Sequence, residues 1–179
     1  MVTVHACTMD DNALPYWARG LGLQPHPEGG FFAETWRSPV TVPATALPPG
    51  YDGERNLATS ILYVLLPGQR SAWHVVRSAE LWLHQRGGPL MLSLGGDDPA
   101  GPATGPGGRG AGPDAVHDHL LGTEPQAGQS PQLLVPPGHW QSARPATDEP
   151  VLVGCVVAPG FDVADFRLLD ESGSGARPA

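Results

Sequence analysis

Apolar residues in this chain recur at alternate positions or in short unbroken runs, and glycine and proline punctuate them. That pattern predicts strands and turns far more than helices. Phe32, Glu34 and Trp36 alternate with Phe31, Ala33, Thr35 and Arg37, a strand pattern of period two. Residues 55–66, RNLATSILYVLL, are apolar on both faces, as a strand buried between two layers would be. Further strands are expected at 73–76, 79–84, 89–94, 116–121, 132–135, 140–144 and 151–158. The stretch 40–53 reads as a Pro-rich loop. A short N-terminal helix is expected within 10–22, capped by Asp10 or Asp11, limited by Pro15 and ended by Gly20 or Gly22. Many short strands without a βαβ rhythm point to an all-β sandwich or jelly-roll barrel.

The chain divides into an N-terminal tail (1–11), one domain (12–169) and a disordered tail (170–179). Within the domain, residues 95–114 are Gly/Pro-rich. They carry too little apolar surface to offset the entropy of ordering, so a mobile insert is expected there. With 179 residues, one domain can bury a core without staples. Cys7 and Cys155 are too few for a disulfide framework, and Cys155, inside VLVGCVVA, reads as a small core residue. The net charge of −8 and the lack of a basic cluster argue against nucleic acid or an anionic membrane as partner. No apolar run reaches the roughly 18 residues a membrane span needs. The start, MVTVHACTMDD, lacks a signal-peptide layout, so a cytoplasmic protein is expected. All ten basic residues are arginine, which removes lysine Schiff-base chemistry.

Two segments carry the chemistry. Residues 68–87 place Gly68, His74, Glu80 and Gly87 at the spacing G-x5-H-x-V-x3-E-x6-G, and residues 136–142 run PPGHWQS. Strand periodicity puts His74 and Val76 on one face, and Glu80, Trp82 and His84 on one face of the next strand. A short turn would let His74 and Glu80 meet across a hairpin. A buried glutamate is costly unless it is paired, hydrogen-bonded or protonated. The pair therefore reads either as an acid/base couple in a ligand pocket or as a hydrogen bond that satisfies two buried polar groups. In Pro25-His26-Pro27-Glu28-Gly29-Gly30, prolines and glycines hold His26 and Glu28 in a rigid turn. A placed pair and a solvated turn both fit these residues.

These motifs resemble the two signatures of the cupin superfamily, with Val76 and Gln141 where metal-binding members carry histidines. PHPEGG with FFAETWRS, the 55–66 strand, S-x2-H-x5-E-x-W, VPPGHWQ and GCVVAPGFDVADF together resemble its cupin-5-type family over roughly residues 12–169. The resemblance implies a single jelly-roll barrel, a homodimer and a small-molecule pocket similar to that of sugar-nucleotide epimerases. It assigns His26, Glu28, Glu34, Ser71, His74, Glu80, Trp82 and Gln141 to the pocket or its rim. Ala79 and Leu83 depart from the Asp and His common in the family, and the 95–114 insert is longer than usual.

Three functions compete. The first is an isomerase, epimerase or dehydratase acting on a small polar or sugar-like metabolite, with His74 and Glu80 as catalytic acid/base and no cofactor. The second is a metal-dependent dioxygenase or isomerase with a divalent transition metal on His74, Glu80 and Gln141. Two strong donors make that site incomplete. The third is a non-catalytic ligand-binding barrel.

Overall fold

A computed structural model describes residues 14–97, 116–169 and 175–176. The 1–11 tail, all but the first residues of the 95–114 insert, and most of the 170–179 tail lie outside the described residues. Alternating and doubly apolar runs form strands, as their periodicity requires, and the strands build two facing six-stranded sheets, an all-β jelly roll.

The first sheet has the order β1-β2-β5-β12-β7-β10. Its members are β1 (Gln24–Pro25), β2 (Phe31–Arg37), β5 (Thr59–Leu65), β7 (Ala79–Gly87), β10 (Gln132–Val135) and β12 (Val151–Ala158). The second, β14-β13-β6-β11-β8-β9, contains β6 (His74–Val76), β8 (Leu90–Leu94), β9 (His117–Leu121), β11 (Trp140–Pro145), β13 (Phe166–Leu169) and β14 (Gly175–Ala176). A small ladder of β3 (Thr41–Val42) with β4 (Arg55–Asn56) crosses the Pro-rich stretch.

The expected N-terminal helix is not formed among the described residues. Residues 15–20 make successive turns closed by Ala18 N–H to Pro15 O (2.8 Å) and Leu21 N–H to Ala18 O (3.3 Å). Gly20 and Gly22 both sit at positive φ, 84° and 69°, so the chain reverses before a helix can extend. This turn segment still has a packing role. Leu14 and Ala18 bury themselves against Val64 and Leu152, on the outer face of β5 and β12. It is the second layer that the doubly apolar 55–66 run required. No helix among the described residues is long and apolar enough to cross a membrane.

Side chains on the inner faces change character along each strand. At one end Leu65, Leu90, Leu92, Leu121, Val151 and Val153 close the space between the sheets as a dry core. Toward the other end the same strands present Tyr63, Ile61 and Thr59 on β5, Cys155 and Val157 on β12, and Glu80 and Trp82 on β7. The core therefore gives way to a cavity of about 350 Å³.

Candidate active site

His26 and Glu28 enter this cavity from the turn joining β1 to β2. His26 N–H bonds Gly30 O and Gly29 N–H bonds His26 O, both at 3.0 Å. Gly29 and Gly30 have φ of 109° and 70°, and a side chain on Gly29 would stand 2.3 Å from Arg70 O. Only glycine allows that approach, and it pushes the preceding Glu28 inward. Ala72 N–H then holds Glu28 O at 2.6 Å. The Glu28 and His26 side chains keep only 6% and 13% of their exposure, so the solvated-turn reading fails.

His74 comes from β6 and Glu80 from β7, but not across a hairpin. The chain passes from one sheet to the other at Arg77–Ser78, so the two residues belong to opposite walls and take different partners. His74 Nδ1 lies 2.8 Å from Ala72 O, 3.0 Å from Glu28 Oε2 and 3.4 Å from Ser71 Oγ. Because a backbone carbonyl only accepts, Nδ1 carries the proton and Nε2 of the neutral ring keeps its lone pair. Glu80 Oε2 accepts from Gln141 Nε2 at 2.5 Å, and Gln141 Oε1 accepts from Trp82 Nε1 at 2.9 Å. The indole can only donate and the carboxylate needs a donor, which settles the orientation of the amide.

Burial governs the charges. It lowers His74 and His26 to about 4, so both rings are neutral near pH 7. It raises Glu80 to about 7, against the stabilising hydrogen bonds of Gln141, Cys155 and Trp82. Burial, followed by repulsion from Glu80, holds Glu28 well above the ordinary carboxylate range. Because the His74 ring is neutral near pH 7, its 3.0 Å contact with Glu28 is a hydrogen bond and not an ion pair.

The residues singled out in the sequence separate into three positions. His26, Glu28, His74, Glu80 and Trp82 line the cavity. Glu34 lines its half-exposed mouth, where Arg37 grips it at 2.6 and 3.1 Å. Ser71 and Gln141 are fully buried behind His74 and Glu80 and support them. Sequence reasoning missed Arg37, Tyr63, Cys155, Phe161 and Phe166 as lining residues. Period two placed Arg37 on the face opposite Glu34, but a register shift between Glu34 and Trp36 turns it inward, opposite Thr59. The same shift leaves Trp36 on the surface, 50% exposed. Alternation along β5 and β12 could have revealed Tyr63 and Cys155.

A metal does not fit this donor set well. Val76 offers no donor, Gln141 Oε1 is committed to the Trp82 indole, and Glu80 is already held by the amide. Among the described residues, no three His, Cys, Asp or Glu side chains are grouped to hold an ion.

Comparisons with known proteins agree with the fold. The family model described as cupin superfamily (DUF985) matches residues 15–169. A hypothetical protein from Leishmania major is 30% identical, with a TM-score of 0.68 and 84% of each chain covered. A protein from Shewanella oneidensis is also 30% identical at a TM-score of 0.68, covering 87% of this chain and 84% of its own. Oxalate decarboxylase from Bacillus subtilis shares the fold at 17% identity and a TM-score of 0.51. That match covers 82% of this chain and 30% of the decarboxylase. No curated protein matches the chain.

Proposed function

The chain belongs to the DUF985 family of the cupin superfamily, and from that premise we propose that its barrel interior binds a small polar metabolite and transforms it by general acid–base chemistry. The class of reaction is an isomerisation, epimerisation or dehydration. One observation carries the reading: two glutamates and two neutral histidines converge on one cavity, and burial raises the proton affinity of both glutamates. Glu80, poised near 7, can take a proton from a carbon or hydroxyl of the bound molecule. Glu28, whose proton affinity is also raised by burial, is the group placed to return one. His74, oriented by Ala72 O, offers Nε2 as an acceptor for a hydroxyl of the ligand. Phe32, Ile61, Phe161 and Phe166 supply apolar walls that keep the polar groups desolvated. The Trp82 indole is tied to Gln141, so its ring serves as wall more than as hydrogen-bond donor to a ligand.

The test is Glu80→Gln. The amide has the size of the acid but cannot accept a proton, so the variant should fold and lose about 10²–10⁴-fold in turnover. Screening small polar metabolites and sugar nucleotides by thermal shift supplies the substrate for the assay. A destabilised variant with full activity would remove Glu80 from the chemistry and leave the barrel as a binder or as an enzyme of another kind.

A further inference from the structure

A second concavity, of about 360 Å³, lies outside the barrel, on the far side of β6 from His74. Its floor follows from strand alternation. His74 and Val76 face inward, so Val75 and Arg77 face outward. Trp140 on β11 and Arg167 on β13 stand directly opposite Val75, which puts Trp140, Val75 and Arg167 in one row across the outer face. Arg77 is the diagonal neighbour of Arg167, within reach of a long side chain. The walls are Pro48, Pro49 and Tyr51 from the Pro-rich loop, Pro137–Gly138, and the Ala158–Pro159 corner.

The charges in this cleft do not balance. Asp165 is its acid, yet that side chain is only 2% exposed and its carboxylate is clamped by Arg55 at 2.7 and 3.1 Å. Arg77 gives only its Nε to Asp165, at 3.1 Å, and stays 41% exposed. The Arg167 guanidinium stacks over the buried Trp140 ring, 5.4 Å from its centroid, and meets no carboxylate among the described residues. Tyr51 is held from two sides. Its ring lies beneath Arg55 and Arg77, and its hydroxyl bonds Ser78 Oγ at 2.9 Å. The cation–π contacts with Tyr51 and Trp140 hold the Arg77 and Arg167 guanidinium groups in place, and such a contact leaves N–H groups to donate. A cationic, proline-walled concavity on a chain of net charge −8 runs against the field of the whole molecule.

We propose that this cleft is a binding site for a small oxyanion, a phosphate or carboxylate group on a compact body, held by Arg77 and Arg167. Planar guanidinium forks match both kinds of oxyanion through paired N–H···O bonds. The site is separate from the barrel interior and independent of the acid–base reading.

Calorimetry and thermal shift with inorganic phosphate and with succinate test it, using sodium chloride at matched ionic strength as control. Saturable binding of either probe, absent with chloride, is expected; phosphate alone would point to phosphate esters, and succinate alone to carboxylic acids. Arg167→Gln removes a guanidinium with no acidic partner among the described residues and should weaken binding about 10- to 100-fold with little effect on folding. Arg77→Gln should weaken it similarly, with the melting temperature of the ligand-free protein reporting the lost Asp165 bond. Binding should survive in Glu80→Gln, which leaves the cleft intact. No saturable binding of either probe, or unchanged affinity in Arg167→Gln and Arg77→Gln, would overturn the proposal.

Discussion

Four buried titratable residues oppose one another in their effect on stability. His26 and His74 titrate near 4 in the folded chain against an ordinary 6.5, so they hold fewer protons there than when unfolded and favour stability as pH rises across that window. Glu80, at about 7 against 4.5, and Glu28, also raised, hold extra protons when folded and reduce stability as pH rises. Below about 6.5 the histidines oppose the loss caused by Glu80. Above 6.5 the histidine contribution has ended, and Glu80 continues to lower stability only until its own proton is lost near 7, at up to about 1.4 kcal/mol per pH unit. Denaturant midpoints from pH 5 to 8 check this, and the fall should be smaller in Glu80→Gln. Gln141→Leu bears on the same carboxylate. It leaves the Trp82 N–H and a Glu80 oxygen without partners, so a loss of about 1–3 kcal/mol is expected. It also removes a bond that favours the ionised form, so NMR titration should place Glu80 higher than in the parent chain.

Single elements set where these residues point. The β2 shift at Thr35 brings Glu34 and Arg37 to one face, although residues three apart on a regular strand face opposite ways. Glycine has comparable leverage, and two positions separate its roles. Gly68 adopts φ 79° with open space around a would-be side chain, so Gly68→Ala should cost only the left-handed backbone penalty, about 1–2 kcal/mol. Gly29 combines φ 109° with a backbone oxygen 2.3 Å from the added carbon. Gly29→Ala should cost more, about 2–4 kcal/mol, and should displace Glu28. Chemical denaturation measures both costs. Equal losses in the two variants would show that the turn before β2 gives way easily.

For the molecule as a whole, one end of the barrel is dry and the other holds the cavity, because the inner positions of β5, β7 and β12 change from leucine and valine to polar and aromatic residues along each strand. The outer surface keeps Trp36, Val40 and Leu57 about half exposed. We expect two copies to associate and cover part of this apolar surface. Light scattering at micromolar concentration should return twice the chain mass of 18.7 kDa, and a monomer mass would count against the pairing.

The long strands, their boundaries to within a few residues and the jelly roll were legible in the sequence, because period two and doubly apolar runs depend only on local alternation and burial; the short β1, β3, β13 and β14 were not. The spacing of His74 and Glu80 likewise marked both as inward-facing, and PHPEGG marked a rigid turn. Which groups meet was settled by the tertiary structure alone. The sheet change at Arg77–Ser78 parts His74 from Glu80, the place of β11 beside β6 in the facing sheet gives Glu80 to Gln141, and the Gly29 turn brings Glu28 to His74 from 46 positions earlier in the chain. The outer cleft, with arginines from β13 and from the turn after β6, was equally hidden from local reading. Alternation says which side of a strand a residue faces, but only the packing of distant strands decides what it finds there.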